Sequence, residues 1–120
     1  MRYSACKTLP LWVALLSGCA SSSSAVPLDR VTAPEASLSA AEALGAENSS
    51  QAQLHLQLAR EQLDKGKKLL AAGDSEEAQL LLMRADADAQ LAQALAKENT
   101  AEAAAQQLRD QVTALQNKGR

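Results

Sequence analysis

Gly73-Asp74-Ser75-Glu76-Glu77 separates two stretches of helical periodicity. Glycine ends a helix because it adopts the left-handed conformation without a Cβ penalty. Asp74 can cap the free amides of the helix that follows, and Glu76 and Glu77 lie at the positive end of its dipole. The pentapeptide therefore predicts a tight helical hairpin with its tip at Gly73-Asp74. Upstream, Ala52, Leu56, Ala59, Leu63, Gly66 and Leu70 recur at alternating steps of four and three, the seam of a helix packed on another helix. Gly66 costs about 1 kcal/mol relative to alanine, which is offset if its bare backbone admits a close neighbour; simple tolerance explains it equally well. Downstream there is no glycine or proline until Gly119, so one helix is predicted from Ser75 to about Asn117, roughly 65 Å long. Its seam begins at Ala78, Leu82, Ala85, Ala89, Ala92 and Ala96. Farther on, the stripe shifts to Leu91, Leu95, Glu98, Ala101, Ala105, Leu108, Val112 and Leu115, so the distal half is expected to meet something different: residues 33–46 or another copy.

Toward the amino terminus, Thr32-Ala33-Pro34-Glu35 fits a capping box, with proline tolerated in the first turn, and predicts a helix start there. The stretch 33–46 is alanine-rich. Gly45 and Asn48-Ser49-Ser50 mark either a weak joint or a turn, with Asn48 available as a cap. A joint would leave 33–72 nearly collinear against the third helix, giving a long antiparallel hairpin with both free ends toward the membrane; a turn would give a three-helix bundle. The expected class is all-α either way. The expected organisation is a signal peptide over 1–18, a lipidated flexible linker over 19–32, a helical hairpin domain over 33–117 and a tail over 118–120.

The signal peptide is read from the basic Arg2 and Lys7, the short apolar run from Leu9 to Leu16, and the small residues that follow. The run is too short for a membrane span, which takes about 20 apolar residues. Leu16-Ser17-Gly18-Cys19 resembles a lipobox. That resemblance implies cleavage between Gly18 and Cys19, a diacylglyceryl group on the Cys19 thiol and an N-acyl chain on the new terminus. Several acyl chains hold a protein on a bilayer where one binds reversibly, each buried methylene contributing about 0.8 kcal/mol. Cys6 lies in the segment to be removed, so no disulfide between the two cysteines outlasts maturation. Alanine rather than aspartate at position 20 points to the outer membrane, facing the periplasm.

The only aromatic residues, Tyr3 and Trp12, also lie in the signal peptide. The mature chain thus lacks the stacking platforms of single-strand nucleic-acid binders and the large groups that line small-molecule pockets. Loss of Arg2 and Lys7 lowers the formal charge from −2 to −4, against phosphate-backbone binding. Alanine, leucine, glutamine and charged residues remain, a coiled-coil composition.

No residue constellation indicates catalysis. His55 is the sole histidine and reads as a flanking surface residue, since a ligand or base would need partners. Asp86 and Asp88, two apart on a helix, do not share a face, and Asp88 is expected to pair with Arg84. Lys65, Lys67 and Lys68 complement a helix carboxyl end. Phosphate-loop, dinucleotide and serine-nucleophile motifs do not occur. The expectation is therefore a non-enzyme without metal or cofactor, apart from the lipid on Cys19.

Leu58-Ala59-Arg60-Glu61-Gln62-Leu63, with Ala85-Asp86-Ala87-Asp88-Ala89-Gln90-Leu91-Ala92, resembles the bacterial domain of unknown function 4398 over about residues 33–105. The resemblance implies a short alanine-rich helical domain, frequent on lipoproteins and sometimes found before a peptidoglycan-binding domain; it implies no catalytic residues. The expected role is a lipid-anchored interaction or scaffold module of the cell envelope. Its partner would be an envelope protein or a second copy, met along Leu56, Leu63, Leu70, Leu82, Leu95, Leu108, Val112 and Leu115. The alternative is a linker between membrane and peptidoglycan, similar to murein lipoproteins, which attach through a terminal lysine; here Gly119 and Arg120 follow Lys118.

Overall fold

The computed structural model describes residues 29–119. The expected signal peptide, the lipid-bearing Cys19 and the linker up to residue 28 lie outside the described residues. Three helices follow in order: α1 (Asp29–Ala43), α2 (Ser50–Ala72) and α3 (Ser75–Lys118), with a short 3-10 turn at Ala46–Asn48 between the first two. No strand occurs among the described residues, and none of their helices is long and apolar enough to cross a membrane.

The helices form an all-α, three-helix bundle, the second of the two arrangements left open above. Residues 33–72 are not collinear, because Gly45 takes a left-handed conformation (φ 74°) and its amide bonds back to the Glu42 carbonyl. The chain reverses there, and α1 packs on both α2 and α3. Asn48 ends the 3-10 turn, and Ser49, rather than Asn48, stands at the N-cap of α2. Glu42 meets Arg60 while Glu35 meets Lys67, so α1 and α2 are antiparallel. Asp29 consequently lies at the Gly73 end of the bundle and Lys118 at the other, not on one side together.

At Gly73 (φ 91°) the second reversal follows a Schellman pattern, the Gly73 amide bonding the Leu70 carbonyl and the Asp74 amide the Leu69 carbonyl. Asp74 is the N-cap residue of α3 but makes no side-chain cap hydrogen bond; its carbonyl instead accepts from the Ala78 amide. The helix α1 begins four residues before the predicted start, so Thr32 and Glu35 lie inside it and the capping box does not form. Pro34 is consequently internal to α1. Its missing amide orphans only the carbonyl of Arg30, in the first turn, and its ring is fully buried against the bundle.

The core is built mostly of alanine. Leu38, Leu56, Leu63 and Leu82 are its buried leucines, joined by Ala41, Ala46, Ala52, Ala59, Ala85, Ala89, Ala92 and Ala96. Small side chains let helix axes approach toward the short end of the usual 8–10 Å range. Gly66 takes this farthest: a Cβ there would lie 2.9 Å from Leu82 Cδ2 and 3.0 Å from its Cγ. The glycine is therefore a notch filled by a leucine from α3, so close packing, not tolerance, explains it.

Candidate interaction surface

Because alanine core residues add little shape, polar contacts beside the seam set how the helices align. Asp86 and Asp88 flank the buried Ala85 and Ala89 and point to opposite neighbours, as their two-residue spacing requires. Asp86 Oδ1 accepts from the Ser37 hydroxyl of α1 at 2.6 Å, and its other oxygen accepts from Gln90 at 2.8 Å. On the α2 side, Asp88 Oδ1 lies 2.9 Å from His55 Nδ1 and Oδ2 accepts from Gln62 Nε2 at 2.7 Å. Gln93 Nε2 adds a bond to the Ser37 carbonyl. Apart from the exposed Gln90–Asp86 bond, which lies within α3, these groups are half-buried, and their bonds are partly shielded from water and span two helices.

The expected Arg84–Asp88 pair does not form, since Arg84 points to solvent while α2 supplies both partners of Asp88. His55 is correspondingly not a free surface residue. An aspartate-oriented histidine supplies two of the three members of a nucleophilic triad, which also needs a hydroxyl or thiol bonded to the other ring nitrogen. Asp88 is the sole hydrogen-bond partner of His55 among the described residues, and no group of three metal-ligating side chains occurs among them. The roles of Ser37, Gln62 and Gln93 escaped sequence reasoning; the signal available was a pair of aspartates straddling an alanine seam.

A second polar cluster joins the helix ends on the surface. Arg60 donates to Glu42 at 2.6 Å and to Glu47 at 3.2 Å. Hydrogen bonds to Glu42 and then Glu47 raise its pKa above the ordinary value, against an opposing desolvation. Lys67 pairs with Glu35, so at least one of the three lysines near the end of α2 bridges to α1.

The leucines singled out from the sequence divide into two groups. Leu56, Leu63 and Leu82 are in the core, and Leu70 and Leu95 pack against its edge. Leu108, Val112 and Leu115 are 62%, 53% and 70% exposed. They belong to residues 97–118, where α3 continues past Ala96, the last buried residue, as a single unaccompanied helix. That arm extends about 33 Å. On it, Ala101, Ala105, Leu108, Val112 and Leu115 form one stripe at steps of four and three, and every other position is polar, charged or alanine. An isolated helix of this length is marginal in water, because most helical stability in proteins comes from packing an apolar face.

No curated protein and no solved structure matches the chain. The model of the family described as "Domain of unknown function (DUF4398)" matches residues 30–108, which take in the whole bundle and the first half of the arm, and the chain belongs to that family.

Proposed function

We propose that this protein is a lipid-anchored, non-catalytic interaction module of the bacterial cell envelope, held on the periplasmic face of the outer membrane through acyl groups on Cys19. The observation that carries the reading is the arm of α3, whose Leu108, Val112 and Leu115 stripe has no cover within the described chain. The placement of the ends supports it: Asp29, which leads toward the lipobox, lies at the Gly73 end of the bundle, and the arm projects from the other. An anchor at one end and a binding surface at the other is the layout of a tethered adaptor. In this reading the bundle is a rigid spacer, and its Asp88–His55 and Asp86–Ser37 contacts are structural.

The test is the intact mass of the protein extracted from membranes after muramidase digestion, combined with photo-crosslinking from position 108 in cells. The expected result is residues 19–120 plus acyl groups, with a crosslink from the arm to another protein chain. A muropeptide on the carboxyl end would make the protein a wall linker instead. An unprocessed mass would remove the lipid anchor, and absence of any crosslink would remove the interaction role.

A further inference from the structure

The arm of α3 ends in a strict heptad pattern. With Glu98, Ala105 and Val112 at a positions and Ala101, Leu108 and Leu115 at d, the flanking e positions hold Glu102 and Arg109, and the g positions hold Lys97 and Lys118. Nothing among the described residues covers this stripe. Helices α1 and α2 are consumed in the bundle, and Asp29 emerges at its far end. The ten residues 19–28 that the proposed cleavage leaves reach at most about 36 Å when fully extended, too short to pass the bundle and line the arm.

We infer that the arm pairs antiparallel with the arm of a second copy of this chain, an inference that rests on reading the arm as an interaction surface and names its partner. The order of large and small residues along the stripe, together with the charges beside it, selects the partner and the direction. In the antiparallel register that overlaps residues 97–118 of both chains, Leu108 faces Ala105 of the second copy and Val112 faces Ala101. Large residues then meet small ones in each inner layer, which suits close packing. The e positions bring Glu102 against Arg109 of the second copy, twice by symmetry, while the g positions bring Lys97 near Lys118 of the second copy, a like-charge pair confined to the exposed ends of the overlap. Glu98, the one charge on the seam, faces Leu115 at the edge of the overlap, with Lys118 of the second copy beside it. A parallel, in-register pair would also gain a contact, Lys97 with Glu102, but would set Glu98 directly against its own copy in the first layer of the seam, a like-charge pair that the antiparallel register avoids. The antiparallel overlap also stops where each bundle begins, so the two bundles do not collide. The product is a rod roughly 95 Å between its two Gly73 ends, with an anchor-bearing terminus near each end, able to lie along a membrane held at two points.

The experiment is sedimentation equilibrium of the full chain, purified from membranes in detergent at matched density, with far-UV circular dichroism on the same samples. The expected species is a dimer. Leu108→Asp with Val112→Asp should abolish dimerisation while leaving the cooperative unfolding of the bundle in place. Glu102→Arg should weaken dimerisation roughly tenfold, because two attractive contacts become two repulsive ones, and adding Arg109→Glu should restore it. Rescue of Glu102→Arg by Lys97→Glu, and not by Arg109→Glu, would overturn the antiparallel pairing in favour of a parallel one. A monomer at every concentration whose position 108 still crosslinks to another protein in cells would overturn the self-pairing and leave the interaction role standing. A monomer with no crosslink would sink both.

Discussion

Gly66 and Leu82 form a single steric unit, in which a missing Cβ on α2 makes room for a leucine of α3. An unencumbered helical glycine gains about 1 kcal/mol when changed to alanine, whereas overpacking a well-filled core costs about 1–3 kcal/mol. With Leu82 fully buried and 2.9 Å from the added atom, the second effect wins. Gly66→Ala should therefore lower stability by about 1 kcal/mol in urea unfolding followed by circular dichroism. The same change in a Leu82→Ala background should raise it, and a cycle without this reversal of sign would refute the steric account. Asp88 is the other residue whose loss is informative. It is the common acceptor for His55 and Gln62 at 2.9 and 2.7 Å, and Gln62 Oε1 is already buried without a partner. Asp88→Ala should cost about 1–2 kcal/mol. Arg60→Ala, which removes contacts 43% exposed at the arginine, should cost under about 0.5 kcal/mol by the same measurement. The Asp88 contacts were not readable from spacing alone, because a side chain two positions from its neighbour can face either flanking helix until the third helix has been placed.

Among the elements, α3 holds two regimes in one continuous helix. From Ser75 to Ala96 it is stabilised by α1 and α2 through a buried alanine seam; from Lys97 on, no side chain is buried and the visible bonds are local, such as Thr100 and Thr113 hydroxyls to carbonyls four residues back and Gln106 to Asp110. Ending the chain after Thr100 should therefore leave the urea midpoint of a dilute, monomeric sample unchanged, since no bundle contact is removed. A drop in midpoint would show that the arm folds back. Sequence periodicity located this boundary well: the seam at Ala78 to Ala96 and the later shift of the apolar stripe are local features of a 3.6-residue repeat. The α1 boundaries were less readable. Helix α1 begins at Asp29 and tolerates Pro34 because full burial of the prolyl ring in the bundle offsets one lost amide bond, a tertiary effect that overrides the local rule.

At the scale of the whole molecule, the bundle has few large side chains with which to resist unfolding. Stability of about 0.05–0.15 kcal/mol per residue gives a bundle of this size only several kcal/mol. Leu56 is fully buried, and truncating a buried leucine to alanine costs about 2–5 kcal/mol. Leu56→Ala should thus bring the molecule close to the point where folded and unfolded chains coexist at 25 °C, with α1, α2 and the proximal half of α3 lost in one transition. Separate loss of α1 would show that its contacts, including Glu35–Lys67 and Ser37–Asp86, form an independent unit. In the proposed dimer the arms would be added to this stability, making the midpoint rise with protein concentration.

What the sequence determined by itself was local: the all-α class, the turn at Gly73-Asp74, the length of α3, and both faces of the α2–α3 seam. Each follows from glycine's freedom at positive φ or from side chains that repeat with the helical period. Tertiary structure decided what depends on elements distant in the chain. It folded α1 back at Gly45 to make a bundle rather than a longer hairpin, directed Asp86 and Asp88 to different helices, and seated Leu82 in the notch at Gly66. It also left the arm of α3 bare, because α1 and α2 bury their seam residues against the first half of that helix and no third element of the described chain reaches the second.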